Sequence, residues 1–127
     1  MRFPLADSLA RLPLPATAQW PQGLWSAPVF AHGSMQLKCF SPRGTDHQAP
    51  HAQDELYVVI RGCADFIVEG QRMTAEPGDA LFVPARAAHH FEHMRNEFTV
   101  WVVFWGPAGG ETDGGGMPRR ETPATAA

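Results

Sequence analysis

The sequence predicts an all-β protein folded as a single sandwich or barrel. Short runs of β-branched and aromatic residues recur between turns rich in glycine and proline. No helical apolar pattern of any length interrupts these runs after residue 15. A chain of 127 residues has the size of one domain and can bury a core without disulfide staples.

The N-terminal part is predicted to hold one short helix followed by irregular chain. Asp7 or Ser8 is a suitable N-cap for a helix that runs through Leu12, where prolines follow at once. We interpret residues 1–33 as an extension that packs on the main domain. The main domain is predicted to span residues 34–105.

The main domain is predicted to consist of short antiparallel strands. Their turns carry glycine, proline and aspartate, the residues that tight turns prefer. Arg61 and Gly62 are expected to end one strand, and the last two strands are expected to form a hairpin. The predicted strands are two pieces around Gly33 within residues 29–40, and then residues 56–60, 65–69, 72–75, 80–83, 89–94 and 98–105.

The last strand is apolar on both faces. One face carries Phe98, Val100, Val102 and Phe104, and the other carries Trp101, Val103 and Trp105. A strand with two apolar faces is covered twice, either by a second layer or by a partner subunit. We therefore expect a homodimer.

Composition excludes some classes of partner. The net charge of -3 and the single lysine argue against a nucleic-acid surface, which needs clustered cations. No apolar run approaches the roughly 20 residues of a membrane span, and the N-terminus lacks the apolar core of a secretory signal. We expect a cytoplasmic protein in which Cys39 and Cys63 are free thiols. The stretch of residues 106–127, rich in glycine and proline, is predicted to be a flexible tail.

Five of the six histidines lie between His47 and Met94, around two segments that are predicted to meet. Glu55, Tyr57 and Val59 share one strand face, which must point inward for its apolar members to be buried. A carboxylate at the mouth of an apolar face is costly unless it is paired or bound to a metal ion. Glu55 is therefore a candidate metal ligand.

Two histidines are predicted to complete this site. A turn at residues 52–54 would place His51 at the end of one strand and Glu55 at the start of the next, as neighbours across a hairpin. His89 shares a strand face with Phe91 and is expected to point inward with it. Two imidazoles and one carboxylate suit a divalent transition metal: iron, manganese, nickel, zinc or copper.

The spacing of these residues resembles the two motifs of the cupin family. His51, Glu55 and Gly62 match the second histidine, the glutamate and the glycine of the first motif. The second motif is matched by Gly78, Pro84 and His89. Two motifs at the right mutual spacing are more specific than either alone. The resemblance implies a double-stranded β-helix, or jelly-roll barrel, with a metal ion at its mouth.

The chain departs from the family pattern at two positions. Ala49 stands where the family has its first histidine, so one of the usual four ligands is missing. His47 is predicted as a candidate fourth ligand, with Gln48 or water as alternatives. Arg86 stands where the second motif usually has glycine, and it suggests an anionic ligand near the mouth.

The resemblance implies a small metal-dependent enzyme that acts on a small organic molecule bound in the barrel. An oxygenase, an isomerase and a lyase are all compatible with the ligand set. Glu55 is predicted to be essential for catalysis, and Tyr57 or His93 to donate a proton. The alternatives are a non-catalytic module that binds or senses a small molecule or sugar, and a barrel that has lost its metal and its activity.

Overall fold

The computed structural model describes residues 1–112 of the chain. Within these residues the protein has one short helix and six strands, so the predicted all-β class is confirmed. The elements are α1 (Leu5–Ala10), β1 (Ser26–His32), β2 (Met35–Phe40), β3 (Asp54–Val68), β4 (Gln71–Ala75), β5 (Ala80–Val83) and β6 (His89–Trp105).

The strands form one continuous antiparallel ladder. Its order is β1-β2-β6-β3-β4, and β5 pairs with β3 beside this path. The two long strands β3 and β6 pair with each other from Asp54↔Trp105 to Val68↔His89. Their register shifts three times between Val59 and Asp65, where the pair bends. The bend folds the ladder into the jelly-roll barrel that the sequence predicts.

Two boundaries predicted within these long strands are wrong. Arg61 and Gly62 do not end a strand, because β3 continues through them to Val68. Likewise, residues 89–94 and 98–105 are not the two arms of a hairpin but the two ends of β6. The physical reason is a shared bend. Gly62, Asn96 and Glu97 all adopt left-handed backbone conformations there, so both strands turn together without losing their pairing.

The N-terminal segment also differs in detail from the prediction. Helix α1 begins after Pro4, and no side chain caps it. Asp7 and Ser8, the predicted caps, lie inside the helix, and Ser8 is buried. The chain then reaches β1, which pairs with β2 at the edge of the sheet. The last part of the predicted extension is therefore a strand of the barrel.

The core fills the inside of the barrel and is rich in aromatic side chains. Phe91 is its centre, with ring centroids of Phe66 and Phe98 each 4.8 Å away and that of Tyr57 5.0 Å away. The inner face of the last part of β6 is buried as predicted. Its outer face is only half-buried, and it carries Trp101, Val103 and Trp105.

The chain after β6 stays attached to the barrel as far as it is described. The Gly109 amide donates to the Ala52 carbonyl at 2.6 Å, and the Glu111 amide donates to Asp54 Oδ2 at 2.9 Å. The flexible tail was predicted for residues 106–127. Residues 106–112 belong to the folded unit, and the remainder of that prediction lies outside the described residues. Among residues 1–112, no helix has the length and apolar character needed to cross a bilayer.

Candidate metal centre

Three elements bring the predicted ligands to one end of the barrel. Glu55 is the second residue of β3 and pairs with Val83 on one side and Phe104 on the other. His89 is the first residue of β6. His51 lies in the loop between β2 and β3, not at the end of a strand as predicted. Its carbonyl accepts a hydrogen bond from the Arg86 amide at 2.6 Å, which ties this loop to the loop that precedes His89.

The three side chains converge. One ligand atom from each of His51, Glu55 and His89 lies within 4.8 Å of the other two. Glu55 and His89 are buried, with 1 % and 4 % of their surface exposed, whereas His51 is half-buried. The arrangement leaves the inner ligand atoms dry and the His51 side open, as a site that admits a small molecule requires.

Two of these atoms lack any hydrogen bond. Glu55 Oε1 and His89 Nε2 are both buried, and no partner satisfies either of them in the described chain. They lie 3.0 Å apart, but the geometry between them is not that of a hydrogen bond. An unsatisfied buried polar atom costs about 1–3 kcal/mol, so proteins rarely tolerate one without a functional reason. A cation between the three side chains would satisfy both atoms, and the donor set fits a divalent transition metal.

The hydrogen bonding of His89 prepares its ring for this role. Nδ1 lies 2.8 Å from the Ala87 carbonyl, which can only accept, so Nδ1 carries the proton in the neutral ring. Nε2 is then the unprotonated nitrogen and faces Glu55. An outer carbonyl that fixes the tautomer in this way is the usual partner of a metal-bound histidine.

The two imidazoles have opposite pKa shifts. Burial lowers the pKa of His51, with a smaller opposing effect from the Glu55 carboxylate. Burial also acts to lower the pKa of His89, but the Glu55 carboxylate and the Ala87 carbonyl outweigh it, and the pKa of His89 is raised. His51 is therefore the more readily available neutral ligand. Because the pKa of His89 is raised, protonation competes with metal binding at His89 up to a higher pH than at His51.

Tyr57, one of the two residues predicted as a proton donor, lies beside the three candidate ligands. Its hydroxyl donates to Gln48 Oε1 at 2.8 Å, and its ring centroid lies 6.1 Å from that of His89. Burial, and next the Glu55 carboxylate, raise the pKa of Tyr57 well above its ordinary value. The phenol therefore stays protonated at any physiological pH.

The buried carboxylate of Asp46 binds Gln48, which in turn accepts the hydrogen bond of Tyr57. Gln48 donates from Nε2 to Asp46 Oδ2 at 2.6 Å, and the Phe91 amide donates to the same oxygen at 2.9 Å. Burial raises the pKa of Asp46 despite these hydrogen bonds. Gln48 was considered only as an alternative ligand, but its side chain is committed to Asp46 and Tyr57. Sequence reasoning missed Asp46, because an aspartate in a turn is ordinary.

The structure does not bring the other two predicted site histidines into this group. His47 is exposed and packs edge-on against Trp20, with ring centroids 5.6 Å apart. His93 is exposed and lies 2.7 Å from Asp65 Oδ2 on the outside of the barrel. His93 was expected to share the inward face of Phe91. Its left-handed backbone, at φ 53°, breaks the strand alternation and turns the side chain outward.

Arg86 has a backbone role where the family pattern has glycine. It adopts a left-handed conformation, at φ 67°, that favours glycine. Its amide donates to the His51 carbonyl, while its side chain lies near Gly109 and not in the cavity. The conformation explains the usual glycine at this position, and the Arg86 side chain does not line the cavity near the candidate ligands.

A cavity of about 420 Å³ opens from His51 and Glu55, two of the three candidate ligands, toward β1 and β2. Its volume lies within the range of small-molecule sites. Apolar side chains form most of the wall, and its polar side chains are Gln19, Ser26, Lys38, Gln48, His51, Glu55 and Tyr57. The lining includes Trp20, Pro28, Lys38, Phe40, Gln48, His51, Glu55, Tyr57, Val102 and Phe104.

Comparison with known proteins assigns residues 36–105 to the cupin domain. A curated uncharacterized protein of Streptomyces coelicolor is 43% identical over 74 residues, which are 58% of this chain and 70% of that protein. Among solved structures, KdgF from Halomonas sp. aligns with a TM-score of 0.56 at 20% identity, over 63% of this chain and 77% of that one. The DMSP lyase DddQ from Ruegeria pomeroyi aligns with a TM-score of 0.55 at 25% identity, over 64% and 46% of the respective chains.

Proposed function

The chain belongs to the cupin family, and from this premise we propose that it is a metal-dependent enzyme acting on a small organic molecule in its barrel. His51, Glu55 and His89 would hold one divalent transition metal ion. The observation that carries the proposal is the pair of buried ligand atoms, Glu55 Oε1 and His89 Nε2, that lack hydrogen-bond partners. A family likeness alone would not distinguish this barrel from one that has lost its ion.

The surrounding residues suit a reaction that needs a bound substrate and a proton. A bound ion would supply Lewis acidity, or redox chemistry if it is iron. The open side near His51 leaves room for a substrate atom beside the ligands. Tyr57 lies against the same end of the cavity, and this position, rather than its raised pKa, makes it our candidate donor. Phe40 and Phe104 contribute apolar surface to the cavity wall.

Lyase chemistry is the first reaction class to screen. The DMSP lyase DddQ has this fold and aligns over 64% of the chain. Isomerase and oxygenase reactions use the same kind of ligand set and form the second and third screens. The order of these screens follows the likeness in fold, whereas the proposed metal site is argued from the geometry of this chain.

Elemental analysis of the purified protein tests the site. We expect about one equivalent of a transition metal per chain after reloading at neutral pH, where histidines are free to bind. His51→Ala, Glu55→Ala and His89→Ala should each lose it. His93→Ala is the matched control, because this histidine lies on the outer surface and should not change the metal content.

His47→Ala separates the predicted fourth ligand from the observed three. Since His47 packs on Trp20 outside the group, the variant should keep its metal. Retention of metal by the three triad variants, or no uptake of any ion by the wild type, would contradict the proposed site. A metal lost only with His47 would move the site to another set of ligands.

A non-catalytic binding module is the second candidate. The largely apolar wall of the cavity would serve a sensor as well as an enzyme. Mass spectrometry of the metal-loaded protein after incubation with a metabolite extract distinguishes the two. A compound retained unchanged supports the module, whereas a compound consumed in a Glu55-dependent way supports the enzyme.

We also propose that two copies pair through the outer face of the sheet. Leu56, Phe82 and Val103 lie side by side on this face, and Phe82 is 54 % exposed. Trp105 continues the patch, with its ring centroid 6.2 Å from that of Phe82. Contiguous apolar surface of this kind marks association sites. Light scattering should give a dimer mass for the wild type and a monomer for Phe82→Glu, and a monomeric wild type at micromolar concentration would contradict the proposal.

The cytoplasm is the proposed compartment. Cys39 and Cys63 are both free thiols, as predicted, and Cys39 is buried. Burial raises the pKa of the Cys39 thiol to about 11, which keeps it unreactive. Free thiols suit a reducing compartment.

A further inference from the structure

The inner face of β2 carries a lysine that the proposed metal chemistry does not use. Lys38 pairs with Val102, and its neighbour on the same face, Phe40, pairs with Val100. Val100, Val102 and Phe40 are all buried in the core, so this is the inner side of the sheet. Lys38 is the single lysine of the chain and is partly buried. An ammonium group on an inward face is costly unless something compensates its charge.

No carboxylate of the described chain compensates this charge. Within residues 1–112, Lys38 takes part in no ion pair. Its Nζ atom lies instead over the ring of Phe104, 5.4 Å from the centroid. A cation–π contact gives partial compensation and fixes where the charge points. Both residues line the cavity.

The same ring connects Lys38 to the metal ligands. The imidazole of His51 packs on Phe104 with centroids 4.6 Å apart. Because Lys38 Nζ and the His51 ring lie at 5.4 and 4.6 Å from one centroid, they are at most about 10 Å from each other. Lys38 and His51 line the same cavity, whose wall is more apolar than polar. One small molecule is long enough to reach both ends.

We propose that Lys38 binds a carboxylate of the substrate, so that the substrate is a small organic acid whose opposite end reaches the metal site. This inference rests on the proposed function for the identity of that opposite end. One ammonium group balances the single charge of a carboxylate. A phosphate, with a charge of about −1.5 to −2 at neutral pH, would demand further cationic donors. Lys38 is the single Lys or Arg in the cavity lining. Lys38 is thus a specificity-determining residue.

A pair of probes that differ only at the far end tests this role. The monohydroxamate of glutaric acid and its terminal primary amide carry the same metal-binding hydroxamate, but only the first carries a carboxylate. For the zinc-loaded wild type, calorimetry should give about tenfold tighter binding of the carboxylate, the value of one charge-assisted hydrogen bond. Lys38→Met should remove this preference, and Lys38→Arg should keep it.

Two controls separate this inference from the metal site. Metal content should be unchanged in Lys38→Met, because Lys38 is not among the ligands. Gln36→Met, on the same face of β2 but outside the cavity lining, should keep the preference for the carboxylate. A preference that survives Lys38→Met overturns the inference, even when the metal site is intact.

The single lysine gives a readout that works without metal. After reductive ¹³C-methylation, which preserves the charge, the Lys38 signal should shift saturably with glutarate and not with glutaramide. The N-terminal amine is the internal reference. A Lys38 signal that does not move overturns the inference, whereas a shift in protein that binds no metal would support Lys38 and refute the proposed metal function alone.

Discussion

The two ends of the barrel interior are both buried, but one end is lined by aromatic rings and the other by polar side chains. At the closed end, where β3 and β6 bend, Phe66, Phe91 and Phe98 are at most 1 % exposed and pack ring on ring. At the open end, Glu55 and His89 are at most 4 % exposed, yet each keeps a polar atom without a hydrogen bond. Packing completes the first region within the chain itself. The second leaves two buried polar atoms unsatisfied, so the region that stabilises the fold is distinct from the region that carries the candidate site.

The strongest test of this contrast is removal of an aromatic ring at the closed end. Phe98→Ala should destabilise the metal-free protein by about 3–5 kcal/mol, because the bend closes too tightly to refill the cavity. Urea unfolding measures the loss. Molecules that remain folded should bind metal with unchanged stoichiometry. A Phe98→Ala protein of wild-type stability would show that the closed end is not the stabilising region.

A smaller loss is expected at the bend itself. Gly62 is left-handed, and a Cβ there would lie 2.5 Å from the Arg95 carbonyl oxygen and 2.6 Å from Phe98 Cα. Gly70 is also left-handed, but a Cβ there meets nothing within 4 Å. Gly70→Ala should therefore cost about 1 kcal/mol through backbone strain alone. Gly62→Ala should cost about 1–3 kcal/mol more through overpacking.

Urea unfolding of the two glycine variants side by side isolates the packing contribution. Equal losses in Gly62→Ala and Gly70→Ala would mean that the bend is not tightly packed. The contrast between the two ends of the barrel would then rest on the aromatic rings alone.

The smallest effect on stability is expected at the open end, where the substitution should raise the free energy of unfolding slightly or leave it unchanged. Glu55→Gln should abolish metal binding, yet leave the metal-free protein as stable as the wild type or up to about 1 kcal/mol more stable. The reason is that it removes a buried charge with an unsatisfied oxygen. Urea unfolding without metal, beside elemental analysis, measures both quantities. A destabilisation as large as that of Phe98→Ala would make Glu55 a structural residue and end the comparison.

The sequence predicted which side chains converge at the candidate site better than it predicted the strands that carry them. His51, Glu55 and His89 were found from charge placement and motif spacing, which depend only on order along the chain. The strand ends were wrong where Gly62 lies, because a left-handed glycine marks a turn and a bulge equally well. A bulge differs from a turn in that the opposite strand continues to pair on both sides of the glycine, which the local sequence does not reveal.

For residues outside the motifs, the alternation of side chains along a strand did not predict which side chains face inward. His93 shares the parity of Phe91, and nothing local announces the positive φ that turns it outward. In β2, alternation separates Leu37 and Cys39 from Lys38 and Phe40 but does not say which set faces inward. The polar member suggests solvent, whereas the pairing of Lys38 with Val102 places it inside. Inward direction is a property of the assembled sheet.

The short segment after β6, residues 106–112, is hydrogen-bonded to the chain that follows His51. The cupin match ends at residue 105, but the Gly109 amide holds the Ala52 carbonyl, and the Glu111 amide holds Asp54. These two contacts clamp the loop on either side of Gln53, directly after His51. Preorganising a ligand before an ion arrives lowers the conformational entropy that binding must overcome. For the proposed metal site, a chain cut at residue 105 would keep every candidate ligand and would be expected to bind an ion less tightly, so the unit to test is longer than the family match.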